Sequence, residues 1–154
     1  LGGAVGERAG ALRLVARFDA TLAALEQRLK GAPRPRVLYW AGGLTAGRGT
    51  AIGSLIECGG GANLGDELGL GGIAPVGAER AFVADPAQVL IGEGWQSAES
   101  LRSHPLLSQM PAVRQGHLIA MPTELLVALN HHAAEACWDL ARRLHPGRVP
   151  AQLP

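Results

Sequence analysis

No run of like charge occurs anywhere in these 154 residues, and the formal net charge is only +1. The arginines are scattered along the chain, so there is no electrostatic footprint for nucleic acid or for an anionic membrane surface. No apolar stretch approaches the roughly 18 residues of a membrane span. Nor is there a secretory signal: the chain opens at Leu1 without a Met, a basic n-region or an apolar h-region, and turns helical almost at once. We read this as a chain whose true N-terminus is missing. Cysteine is scarce as well. Cys58 and Cys137 permit one disulfide or two buried thiols, but not the usual four-ligand zinc site.

What is present describes a folded domain. Hydrophobic residues make up 47% of the chain and charged residues 18%, which places it among globular proteins. A chain of this length forms one domain that buries roughly two thirds of its unfolded surface. From Glu7 to Lys30 the apolar residues Ala11, Leu14, Val15, Phe18, Leu22, Leu25 and Leu29 recur at helical spacing, which predicts one helix with a single buried stripe. Gly31, Pro33 and Pro35 stop it. Short apolar runs at Arg36–Trp40, Ile73–Val76, Val89–Ile91 and His117–Met121 predict strands. Between them lie predicted helices at Thr50–Cys58, Glu79–Ala84, Ser97–Arg102 and around Leu107. A long final helix is expected over Thr123–His145. Continuous apolar strands alternating with helices imply an α/β three-layer sandwich around a mostly parallel sheet, a Rossmann-like lobe. Ligands bind such sheets beyond the carboxyl ends of the strands, an edge shared here by Tyr39–Gly47, Gly72–Glu79, Gly92–Ser97 and Pro122–Leu126.

Along that edge no catalytic constellation appears. Gly47-Arg48-Gly49-Thr50 lacks the lysine of a P-loop and the third glycine of a dinucleotide fingerprint, and reads as a tight turn with Thr50 as N-cap. No nucleophile elbow surrounds Ser54, Ser97 or Ser100, and no carboxylates pair at helical spacing facing a putative cleft. His131 and His132, adjacent on the expected final helix, should point about 100° apart and share no metal. His104, His117 and His145 read as solvated or packed. Tyr39 and Trp40 close the first strand, where one of them should face outward as a stacking surface for a flat ligand. Trp138 should be core. A Rossmann-like or flavodoxin-like enzyme domain would need a complete phosphate loop or a catalytic cluster, and neither is found.

Several segments, in order, resemble the C-terminal half of the periplasmic binding proteins for cobalamin, haem and ferric siderophores. These are Glu7-Arg8-Ala9 opening a long helix, Arg34-Pro35-Arg36-Val37-Leu38, and Cys58-Gly59-Gly60-Gly61-Ala62-Asn63-Leu64. They continue with Val76-Gly77-Ala78-Glu79, Ala84-Asp85-Pro86-Ala87-Gln88-Val89-Leu90-Ile91, His104-Pro105, Pro111–His117 and Leu140–Pro146. The resemblance implies a single C-terminal lobe over 1–154, beginning near the end of an inter-lobe helix, with the N-terminal lobe absent from this chain. It implies no enzyme and no resident cofactor or metal. The expected role is the substrate-binding component of an ABC importer, periplasmic or extracellular and lipid-anchored, touching the membrane only through its permease. The ligand would be a small-molecule cobalt or iron chelate. Like the cobalamin branch, this chain has a cysteine before the glycine turn and another in the last helix, which implies a Cys58–Cys137 disulfide and places cobalamin first. Leu44 and Ile73 stand where that branch carries a Phe and a Trp, so haem and ferric siderophores stay open. The implied ligand contacts are Tyr39, Trp40, Leu44, Ile73, Thr123 and Glu124, and Glu79 is the implied permease contact.

Overall fold

The computed structural model describes residues 2–94 and 98–154, so the Ser97 start expected for one helix and the last part of the Gly92–Ser97 loop lie outside the described residues. Helix α1 (Gly2–Leu29) leads into strand β1 (Arg36–Tyr39), a short strand β2 (Leu44–Ala46) and helix α2 (Ala51–Cys58). There follow β3 (Ala62–Asn63), α3 (Leu64–Glu67), β4 (Ile73–Pro75), α4 (Ala78–Ala84) and β5 (Gln88–Glu93). The chain ends with α5 (Ala98–Ser103), a 3-10 turn (Leu107–Gln109), α6 (Pro111–Arg114), β6 (Leu118–Pro122), α7 (Thr123–Leu126) and α8 (His132–Leu144).

The main sheet is four-stranded in the order β3-β1-β5-β6, and every pairing in it is parallel. Strand side chains alternate between two cores. Val37, Tyr39, Leu90, Ile119 and Met121 pack against α1, α2 and α8, whereas Leu38, Trp40, Val89 and Ile91 pack against α4, α5 and α6. Both faces are covered, so both sets of alternating positions must be apolar, which is why the strands read as unbroken apolar runs. The result is the expected three-layer α/β sandwich. The chain moves from β1 out to β3 and returns to β5 on the other side of β1, so the strand order reverses between β1 and β5. A crevice outside the carboxyl ends of the strands forms at such a reversal.

Two short strands were not expected. β3 extends the sheet by two residues directly after the glycine turn. β2 pairs antiparallel with β4 in a separate two-stranded ribbon, with Leu44 opposite Pro75 and Ala46 opposite Ile73. The ribbon is pinned at its base by Gly47 N–H donating to Gly72 O at 2.8 Å and Arg48 N–H donating to Leu70 O at 2.9 Å. A Cβ on Gly47 would lie 2.1 Å from Leu70 O, so only glycine admits this approach. Thr50 caps α2 as expected, its hydroxyl accepting from Gly53 N–H at 2.9 Å.

Two expectations about helices are corrected. The stripe of α1 is buried only from Thr21 onward; Leu14 and Val15 stand exposed, because the core it packs on reaches only its C-terminal half. The final helix is not continuous over Thr123–His145. Asn130 breaks it: its side-chain oxygen accepts from His132 N–H at 3.0 Å and its carbonyl accepts from Ala133 N–H at 2.9 Å, starting α8 afresh. Val127 and Leu129, which extend the apolar pattern through the break, are exposed.

Candidate functional site

The carboxyl ends of β1, β5 and β6 lie along one edge, and the β2–β4 ribbon continues from the end of β1. In an antiparallel ribbon, opposed residues and residues two apart share a face, so Leu44 and Ile73 stand on the same face. Both are exposed, at 42% and 54%, on an element otherwise tied into the fold. Two aliphatic side chains held out on a fixed ribbon form a rigid apolar surface at the edge.

At the other end of the edge, β5 and β6 are joined by Thr123, whose hydroxyl donates to Glu93 O at 2.8 Å. A Cβ on Gly92 would meet Thr123 Oγ1 at 3.0 Å, Leu126 at 3.3 Å and Tyr39 Oη at 3.8 Å, so the two hydroxyls converge on Gly92. Glu124 follows in the first turn of α7 and is exposed. The six implied contact residues therefore belong to segments along one edge. Leu44 and Ile73 lie on the ribbon, Tyr39 and Thr123 lie around Gly92, Glu124 follows Thr123 in α7, and Trp40 follows the end of β1.

The aromatic pair departs from expectation. Neither Tyr39 nor Trp40 faces outward: they are 6% and 5% exposed and point into opposite cores. β1 is an interior strand with helices on both faces, so successive residues at its end are covered in opposite directions. The exposed apolar surface is supplied instead by the ribbon, whose first strand and antiparallel pairing short strand length and intervening glycines concealed in the sequence.

Burial raises the Tyr39 phenol above its ordinary value. Tyr39 is the single tyrosine of the chain, so its ionisation is read cleanly by near-ultraviolet absorbance. The folded protein is expected to titrate above about 10, the unfolded chain at about 10. The phenol's contribution to stability is therefore present in full below about pH 10 and is lost as pH rises through the folded value. Coincident titration of folded and unfolded protein would contradict the burial of the phenol.

The histidines build no metal site. The break before α8 brings the His131 and His132 rings to a centroid separation of 4.0 Å, not to diverging directions, and His132 Nδ1 lies 3.1 Å from Glu135 Oε2. No group of three or more His, Cys, Asp or Glu side chains is placed to hold a metal ion among the described residues. His117 is exposed, and His145 is buried with Nε2 3.2 Å from Gly60 O. Trp138 is core, as expected.

Cys58 and Cys137 form a disulfide with Cα atoms 5.6 Å apart, joining the end of α2 to the middle of α8. Glu79 is exposed in the first turn of α4, and no ion pair engages it among the described residues. No helix among them is long and apolar enough to cross a membrane.

Residues 1–125 match the periplasmic binding protein family. No curated protein sequence matches the chain significantly. The structure of the periplasmic haem-binding protein RhuT from Roseiflexus sp. RS-1 is similar at a TM-score of 0.81 and 26% identity, over 95% of this chain and 59% of that one. The periplasmic haem-binding protein BhuT, in complex with two haems, is similar at 0.78 and 26%, over 92% and 57%. The Haemophilus influenzae molybdate periplasmic binding protein MolA shares the fold at 0.77 and 20% identity, over 88% and 44%. The chain thus spans about half the length of the solved structures it matches.

Proposed function

The chain belongs to the periplasmic binding protein family, and on that premise we propose that it is the C-terminal lobe of a two-lobed substrate-binding protein that captures a metal-chelate nutrient for an ABC importer. The family and these structural neighbours are substrate-binding proteins and not enzymes, so the enzyme-domain reading is set aside. In this reading the whole of 1–154 is one lobe, α1 is the end of the inter-lobe helix, and the second lobe supplies the facing wall of the cleft. The protein works in the periplasm, or outside the cell on a lipid anchor, and meets the membrane through the permease.

One observation carries the reading: the ribbon that holds Leu44 and Ile73 exposed beyond the strand ends. A flat chelate resting on that face would bury aliphatic surface there, while Thr123 and Glu124 would contact and orient its rim. Cobalamin is the first candidate, supported by the Cys58–Cys137 bridge at the two places where the cobalamin branch has its own. Haem is the second, supported by the two haem-binding neighbours at 26% identity. The chelate brings its own cobalt or iron, and no separate cofactor is invoked. Calorimetric titration of the full-length protein with cobalamin, haem and a ferric siderophore decides among them; binding of none of the three sinks the metal-chelate reading.

Glu79 is assigned to permease docking. Its carboxylate is exposed at the start of α4, where the helix dipole favours it by about 0.3–1 kcal/mol whatever its role. Glu79→Ala and Glu79→Arg in the full-length protein should therefore leave ligand affinity near wild type and weaken the complex with the permease. The loss should be larger at low salt, because the contact is between charges. Abolished ligand binding with docking intact would move Glu79 into the cleft.

A further inference from the structure

We propose that Gly65, in the first turn of α3, is a positioning residue for the ligand face: the side chain it lacks sets how closely the ribbon seats on α3, and so where Ile73 and Leu44 are presented. This rests on the cleft reading given above. An ideal Cβ on Gly65 would lie 2.2 Å from Ala46 O, 2.8 Å from Ala46 C and 3.0 Å from Gly47 Cα. All three are backbone atoms at the base of the ribbon, so no side chain can turn aside to make room. Ala46 is the residue that pairs with Ile73 across the ribbon. A methyl group at position 65 therefore presses on the strand pair that carries Ile73, two residues from Leu44.

Glycine is not needed at this position for its backbone. Gly65 lies in a helix and does not have a positive φ, and alanine is the better helix former there. Space is what excludes alanine. The same holds around the base of the ribbon, where Gly47 and Gly53 also lack a positive φ. A Cβ on Gly47 would collide with Leu70 O, and one on Gly53 would lie 2.8 Å from Gly47 O and 2.9 Å from Asn63 Nδ2. The ribbon, α2 and α3 thus approach one another through glycines.

Of the two elements that meet at Gly65, the ribbon is the one free to yield. Asn63, next to α3, pairs with Val37 of β1, and its side-chain oxygen accepts from Gly65 N–H at 3.2 Å. Leu64 is fully buried in the core that also holds Leu38 and Ile91. The start of α3 is therefore fixed to the main sheet. Leu44 and Ile73 stand in solvent, so a shift of the ribbon meets no packed neighbour on that side.

Gly65→Ala tests the role, with Gly59→Ala as control. Gly59 also lacks a positive φ, but its added methyl would meet Leu140 Cγ at 3.0 Å, at the far end of α2 from the ribbon. In the chain itself, 13C-methyl NMR follows Ile73, Ile91 and Ile119, each signal identified by its Ile→Val variant. Gly65→Ala is expected to move the Ile73 signal further than those of Ile91 and Ile119, which lie on main-sheet strands. Gly59→Ala should leave Ile73 in place. In the full-length protein, calorimetry with cobalamin and haem reads the consequence. Gly65→Ala should weaken whichever chelate the unaltered protein binds by at least about tenfold, the equivalent of one poorly seated aliphatic contact. Gly59→Ala should leave that affinity near its original value. If Gly65→Ala does not fold, Asn63→Ala takes its place: it removes the cap on Gly65 N–H without adding bulk and should move the same Ile73 signal.

An Ile73 signal that moves no further than those of Ile91 and Ile119, or that Gly59→Ala moves equally, overturns the positioning role. So does unchanged affinity in Gly65→Ala when the unaltered protein binds the chelate. Failure of the unaltered protein to bind either chelate is a separate result that counts against the cleft reading. The methyl measurement needs no ligand and still decides whether Gly65 sets the position of Ile73.

Discussion

Reduction of the Cys58–Cys137 disulfide is expected to cost about 4.5 kcal/mol of stability and to lower the melting temperature by roughly 10–15 °C. The bridge closes a loop between residues 79 apart. In the chain-entropy model, a loop of that length removes enough freedom from the unfolded chain to give the figure quoted. The location adds to the expectation. Cys137 is buried in the core that also holds Ile52, Leu55 and Ile56 of α2 and Ala136, Leu140 and Ala141 of α8, so the bridge fastens two helices that form one face of the sandwich. Thermal unfolding with and without a phosphine reductant measures the effect, and Cys58→Ala with Cys137→Ala should reproduce the reduced protein. Two thiols titrating in unfolded, unreduced protein would contradict the bridge and remove the main support for cobalamin over haem.

The isolated chain is expected to bind cobalamin or haem at least a thousandfold more weakly than the full-length protein. A ligand resting on the Leu44–Ile73 face has one side covered and the other in water. If the facing wall covers roughly 200 Å² of apolar surface, its absence costs about 5 kcal/mol at about 25 cal/mol per Å², more than a thousandfold in Kd. The expectation follows from the edge being open: Leu44 and Ile73 are exposed, and no other described element closes over them. Nanomolar binding by this chain alone, measured by calorimetry, would show that the site is complete without a second lobe.

The fold was legible where the chain obeys a simple period. Arg36–Trp40, Val89–Ile91 and His117–Met121 are apolar on both faces because helices lie on both sides of the sheet, and the same runs locate the carboxyl edge. Thr50 and the glycine turn after Cys58 were legible because caps and tight turns require particular residues. The ribbon was legible only in part: Ile73–Val76 reads as a strand, but Leu44–Ala46 is too short for alternation to show, and the pairing of the two is set by tertiary hydrogen bonds at Gly47, Arg48 and Gly72. The break before α8 was hidden because Val127 and Leu129 keep an apolar pattern that the fold leaves in solvent. Burial of both Tyr39 and Trp40 depends on β1 being interior, and strand order is not a property of local sequence.

That gap matters for the site. From residue types alone, an outward-facing aromatic is expected at the end of β1; in the folded chain both aromatics are buried, and the exposed apolar side chains at that edge are Leu44 and Ile73 on the ribbon. His104 illustrates the same limit. As a lone histidine it reads as packed or solvated, and only the two backbone N–H groups donated to Nδ1 fix which nitrogen carries the proton.

The role of the ribbon is tested most directly by the affinity of the full-length protein for cobalamin and for haem, measured by calorimetry before and after the paired change Leu44→Asp and Ile73→Asp. Both positions are exposed, so the fold should tolerate the charges, as near-unchanged thermal unfolding will show. Each lost aliphatic contact removes about 1.5–3 kcal/mol when fully buried by ligand, so affinity for the bound chelate should fall by roughly a hundredfold or more. Unchanged affinity in a correctly folded double variant would contradict the assignment of the ribbon as the wall of the cleft.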